Sequence, residues 1–109
     1  MARAIHVFRS PDRFVAGTVG EPGDRTFYLQ VVRESRVVSV MLEKQQVAVL
    51  AERIAALLVE INRRFGTPLP PEISDLGDLS PLITPVDAEF RVGTMGLGWD
   101  AEAKSVVVE

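Results

Sequence analysis

Two glycine-rich phrases, each closing on an aspartate, hold the residues whose types and spacing suit chemistry. FVAGTVGEPGD at residues 14–24 returns as FRVGTMGLGWD at residues 90–100. Phe14, Gly17, Thr18, Gly20 and Asp24 are matched by Phe90, Gly93, Thr94, Gly96 and Asp100. Backbone N–H groups in such loops can face an anion, with charged side chains beside them. The candidate ligand-binding residues are therefore Gly17, Thr18, Gly20, Asp24 and Arg25 in the first phrase. In the second they are Gly93, Thr94, Gly96, Trp99 and Asp100. The motif is unspecific. A phosphate loop needs Lys and Ser or Thr after its last glycine, followed by a helix, and a dinucleotide fingerprint needs a helix that starts within it. Hairpin signals follow the glycines here. A glycine inside a strand more often marks a bulge, a sharp bend or a close backbone approach.

The remaining polar residues offer less. Asp24 and Asp100 form a paired-carboxylate site only if the fold brings both turns together. Their plainer role is to stabilise turns by Asx hydrogen bonds. Trp99 can serve as a recognition aromatic or cover the open end of a small core. His6 is the single histidine, with Phe8 on the same face of a short strand. No Ser or Cys nucleophile motif accompanies it, so no catalytic residue is assigned. Glu72, Asp75, Asp78 and Asp87 fit no calcium loop. No metal site and no cofactor is expected.

Bulk properties narrow the classes. At 109 residues the chain makes one domain, residues 1–109, able to bury about two-thirds of its unfolded surface. A net charge of −3 and a pI near 5.2 give no basic excess, so nucleic acid is not an expected partner. The chain has no cysteine, which excludes disulfides and thiolate metal sites within it. No apolar run reaches about 18 residues and no signal-peptide run opens the sequence, so no membrane span is expected and the cytoplasm is the default location. The mean hydropathy of +0.17 hints at a buried contact surface.

Those residues need elements to position them. Residues 4–8 and 13–19 read as strands, separated by a Ser10-Pro11-Asp12 turn. Residues 20–24 are turn chemistry. TFYLQVVR at 26–33 alternates, and Glu34-Ser35 closes a hairpin into RVVSVML at 36–42. The period then changes. Val47, Leu50, Ala51, Ile54, Leu57, Leu58, Ile61 and Phe65 follow helical spacing over residues 43–65, and Gly66 caps the end. Ile54 and Leu57 are expected to face a sheet. Residues 67–87 hold five of the seven prolines and read as an ordered crossing loop anchored by Ile73, Leu76, Leu79, Leu82 and Ile83. Residues 89–99 read as one strand, 101–104 as a turn and 105–109 as a last strand.

The expected fold is α+β: an antiparallel sheet of five to six strands with one long helix packed on one face. The repeated phrase suggests a β-β-β-α unit written twice, the second copy incomplete. Phe14 and Phe90 should then both be buried, and Gly17 and Gly93 should sit at matching bends.

The runs DRFVAGTVGEPGDRTFYLQ (12–30), VVSVMLEKQQVAVLAERI (37–54) and EFRVGTMGLGWD (89–100) resemble an uncharacterised actinobacterial family, domain of unknown function 3090. The resemblance implies no activity and no catalytic residue. It implies longer relatives, with a further strand and helix and a Cys-rich tail resembling a zinc ribbon. With no cysteine here, zinc is not carried over.

A non-catalytic interaction or assembly module is the first functional expectation, and a small-ligand or phosphate-binding domain, possibly an enzyme, is the alternative. A homodimer is expected, through strand pairing at Ser105–Glu109 or helix contacts at Ala48, Ala55 and Val59, because Val106, Val107 and Val108 put apolar groups on both faces of the last strand.

Overall fold

The computed structural model describes residues 6–67 and 81–109. In chain order the elements are β1 (Arg13–Glu21), β2 (Asp24–Arg33), β3 (Arg36–Leu42), α1 (Lys44–Phe65), β4 (Ala88–Arg91), β5 (Leu97–Asp100) and β6 (Ser105–Val108). The fold is α+β, with one helix, a mixed four-stranded sheet and a two-stranded sheet among the described residues. The described residues fall into two compact units, one of residues 6–43 and 81–92, the other of residues 44–67 and 93–109.

The first unit is built on two tight hairpins. Pro22 fixes its own φ and Gly23 takes a φ of 88°, so two residues suffice to join Glu21 to its partner Asp24. The antiparallel register runs from there to Arg13 opposite Val32. Glu34-Ser35 makes the second loop, with Glu34 at a φ of 55° and Arg33 opposite Arg36. The chain before β1 braces that loop. Glu34 N–H donates to Asp12 Oδ2 at 2.7 Å, and Arg33 Nη1 donates to the carbonyls of Arg9 at 2.9 Å and Ser10 at 2.5 Å. The Arg36 guanidinium lies 4.2 Å from the Phe8 ring centroid. Of the strand expected at residues 4–8, residues 4 and 5 lie outside the described residues, and 6–8 are not strand. Ser10, at a φ of 51°, and Pro11 turn the chain between this segment and β1.

β4 pairs with β3 in parallel, Ser39 with Ala88 and Met41 with Arg91, and the register shifts between them. This corrects the expected antiparallel sheet of five to six strands. The chain leaves β3 into the helix and returns over residues 81–87 to enter beside β3 in the same direction. The strand expected over residues 89–99 is also corrected. It splits into β4 and β5, which belong to different sheets, because the ladder stops near Gly93-Thr94-Met95-Gly96.

Register sorts the side chains of the four-stranded sheet. Phe14, Ala16 and Thr18 share a face with Val31, Leu29 and Phe27, and with Val38, Val40 and Leu42. Leu29 and Leu42 are buried. The opposite face carries Val15, Gly17 and Val19, then Tyr28, Gln30 and Val32, then Val37, Ser39 and Met41. Its buried members on β2 and β3 are polar, Gln30 and Ser39.

In the second unit α1 runs from Lys44 to Phe65, one residue inside the expected start. Its buried residues are Leu50 and Ile61, while Ile54 and Leu57 are only half-buried, which corrects the expected core pair. All four keep the helical spacing, but Ala51 and Phe65 of the expected stripe are exposed, so the buried face is narrower than the spacing suggests. Val59 and Ala48 are exposed and Ala55 is half-buried. Gly66 ends the helix at a φ of 69°, its N–H bonded to the Asn62 carbonyl at 2.9 Å. A Cβ on Gly66 would meet nothing within 4 Å, so only backbone strain opposes a side chain. Gly66→Ala is therefore expected to cost roughly 1–2 kcal/mol in a urea titration, and Gly66→Asn less.

Glu60 anchors the last turn. Its carboxylate accepts from Arg63 at 2.7 Å and from Arg64 at 2.6 Å. The Arg63 hydrogen bond, joined by that of Arg64, holds the Glu60 carboxyl below its ordinary value. A depressed carboxyl favours the folded state above its unfolded pKa, and this contribution fades as pH falls through the folded value. The pair lies at the surface, with the Glu60 side chain 37% exposed, so the effect is small and screened by salt. Helicity followed by circular dichroism should drop slightly on acidification, and Glu60→Gln should remove that part of the drop.

β5 and β6 form a hairpin, Leu97 opposite Val108 and Asp100 opposite Ser105. Gly96 and Glu109 extend it by two backbone hydrogen bonds of 2.9 Å. Gln46 on the helix donates through Nε2 to the Gly93 carbonyl at 3.0 Å.

Candidate functional site

The first phrase lies on the β1–β2 hairpin. Gly17, Thr18 and Gly20 are on β1, and Asp24 and Arg25 open β2. Gly17 pairs with Tyr28 in mid-strand. A Cβ built there would lie 2.7 Å from Leu82 Cγ, so the glycine is the hollow that receives Leu82. Gly20 has a φ of 117°, and a Cβ on it would lie 2.4 Å from the Asp24 carbonyl oxygen. Crowding accounts for both glycines, by the Leu82 side chain at Gly17 and by the Asp24 backbone at Gly20. Asp24 and Arg25 are exposed.

The second phrase is built differently. Gly93 and Thr94 lie between β4 and β5, and no atom stands within 4 Å of a Cβ on Gly93, Gly96 or Gly98. Trp99 is half-buried, opposite Val106. Asp100 Oδ1 accepts from the N–H groups of Glu102 and Ala103, both at 3.0 Å, the Asx turn that its position suggested. Phe14 and Phe90 are 42% and 53% exposed, where burial of both was expected. Gly17 is in mid-strand and Gly93 outside any strand. The two phrases therefore do not occupy equivalent places, and the duplication read from them is not confirmed; the glycines they share, Gly17 with Gly93 and Gly20 with Gly96, stand in unlike surroundings. The ten candidate residues divide five and five between the two units.

His6 stands 3.7 Å from the Glu89 carboxylate on the first unit. Among the described residues, no group of three or more His, Cys, Asp or Glu gathers as a metal site. No described helix is long and apolar enough to cross a membrane.

The most organised polar site is one the sequence reading passed over. Gln30 is fully buried, and its amide is shared between two segments. Nε2 donates to Ser39 Oγ at 3.1 Å and to the Ile83 carbonyl at 3.0 Å, and Ile83 N–H donates to Oε1 at 2.8 Å. The amide thus offers Ile83 one donor and one acceptor, as a neighbouring strand would. Arg13 Nη1 adds a bond to the Pro81 carbonyl at 2.9 Å, and Leu82 is buried over Gly17. Residues 81–83 are latched at three successive positions. The signal in the sequence was a lone glutamine inside the apolar run TFYLQVV. On the same sheet β1 is an edge strand among the described residues, and its Phe14 and Val19 are both exposed.

The family model described as protein of unknown function (DUF3090) matches residues 6–109. The chain belongs to the DUF3090 family. No curated protein and no solved structure matches it. The Gln30 latch and β1, the outermost strand of its sheet among the described residues, fall inside the matched residues.

Proposed function

We propose that this DUF3090 chain is a non-catalytic interaction module, and that it engages another polypeptide along the outer edge of β1. One observation supports the reading. β1 is an edge strand of nine residues whose Phe14 and Val19 stay 42% and 43% exposed. An edge presents unpaired N–H and C=O groups, and proteins commonly blunt it with charge, proline or short length. Residues 14–20 contain no charge and no proline. Strand addition at such an edge draws affinity from the main chain and specificity from alternate side chains.

Hydrogen exchange tests the edge. Glu21 and Asp24 flank a two-residue loop and form a hydrogen-bonded pair, and the pattern alternates along β1. Val15 and Gly17 therefore bond to β2, while Ala16 and Thr18 turn their N–H groups outward. In dilute protein the Ala16 and Thr18 amides are expected to exchange far faster than those of Val15 and Gly17. Equal protection of all four would mean that the edge is already covered, and would overturn the reading.

A further inference from the structure

Resting on that reading, we propose that the polypeptide β1 receives is a second copy of this chain, paired antiparallel about a two-fold axis at Gly17. The argument is charge complementarity along one strand. β1 begins with Arg13 and ends with Glu21, equally spaced about Gly17, with only uncharged residues between. Laid antiparallel on itself, the strand sets Arg13 opposite the partner's Glu21, and Glu21 opposite the partner's Arg13. Val15 then faces the partner's Val19, and Ala16 faces the partner's Thr18. Gly17 faces the partner's Gly17, so neither strand places a side chain of its own at the closest approach.

Side-chain faces and backbone bonds agree with this register. Every pair joins two odd-numbered or two even-numbered residues, so each side chain meets one on its own face of the sheet. The outward N–H and C=O groups of Ala16 meet those of the partner's Thr18. Phe14 meets the partner's Gly20, an aromatic over a glycine, a pairing that favours one register. Sliding the copies by two residues preserves faces but sets Arg13 opposite an apolar or turn residue instead of the partner's Glu21. Arg13 also donates to the Pro81 carbonyl, and a guanidinium with five donors can serve both. The contact is isologous and closes at two chains, so it yields a dimer with one continuous sheet.

Sedimentation from low to high micromolar concentration tests the proposal, with circular dichroism confirming that each variant is folded. The wild-type chain is expected to dimerise. Glu21→Arg sets arginine against arginine twice, and Arg13→Glu sets glutamate against glutamate twice. Each should weaken the dimer roughly tenfold. Mixing the two variants in equal amounts recreates both opposite-charge pairs and should restore wild-type affinity. Thr18→Pro removes an outward donor without touching the β2 ladder and should abolish dimerisation. A dimer indifferent to all of these changes, or a monomer at every concentration, overturns the proposal. If the monomer shows fast exchange at Ala16 and Thr18, the edge is open and only the self-pairing fails. If those amides are protected, the interaction reading fails with it.

Discussion

Gln30→Ala is expected to lower the unfolding free energy by about 2–4 kcal/mol, the largest loss from any single polar residue of the sheet. The side chain makes three hydrogen bonds, to Ser39 Oγ and to both backbone groups of Ile83. Each is worth roughly 0.5–1.5 kcal/mol net, and a buried group left unpaired costs about 1–3 kcal/mol. Alanine also leaves a void in a fully buried site. Gln30→Met separates the two terms, since it keeps most of the volume and none of the bonds. A urea titration should rank wild type above Met and Met above Ala. Gln30→Glu is a sharper probe. Its ionised carboxylate can accept from Ile83 N–H but cannot donate to the Ile83 carbonyl. It should therefore destabilise at neutral pH and recover in part when protonated. An unchanged midpoint for Gln30→Met would mean that the Gln30 hydrogen bonds do not hold residues 81–83.

Gly17→Ala is expected to cost about 1–3 kcal/mol by overpacking. The new methyl would meet Leu82 Cγ at 2.7 Å, Cδ2 at 2.8 Å and Cδ1 at 3.1 Å. A Leu tip can swing, but Cγ is only two bonds from the backbone Cα and the residue is buried, so the segment itself must lift. The pair gives its own control. Leu82→Ala opens a void at the same place, so Gly17→Ala/Leu82→Ala should lose much less than the sum of the single changes. Additive losses would show that Leu82 does not seat on Gly17. The larger Gly17→Val should exceed Gly17→Ala, because its extra methyls enter the same hollow.

What was legible in the sequence was local. TFYLQVV and RVVSVML alternate because their strands lie in one sheet, and the dipeptides Pro22-Gly23 and Glu34-Ser35 close two-residue loops between partners adjacent in the chain. The helix from Lys44 to Phe65 was equally plain, because its period and its glycine cap are properties of neighbouring residues. What was not legible was pairing at a distance. The direction of β4 depends on which end of β3's one free edge the returning chain enters, and nothing in AEFR records that. Gly17 and Gly93 look alike as letters. One lies under Leu82 and the other has open space, and the difference is made by a residue far away in sequence. Gln30 read as the polar side of an alternating strand. Its partner Ile83 stands 53 residues on, beyond the reach of any pattern argument.

That separation governs the order in which the first unit forms and comes apart. β1, β2 and β3 are joined by two-residue loops, so their ladders close with little loss of chain entropy. Residues 81–92 must close a far longer loop before Gln30, Gly17 and Met41 reward them. The meander is therefore the early kinetic product and the returning segment the late one. In reverse, that segment is the first to detach under native conditions, at a free energy below that of global unfolding. Its detachment strips β4 from β3 and leaves a three-stranded sheet with both edges bare. How often the second edge is uncovered then depends in part on one side-chain amide on the central strand, acting with the Leu82 seat on Gly17 and the β3–β4 ladder.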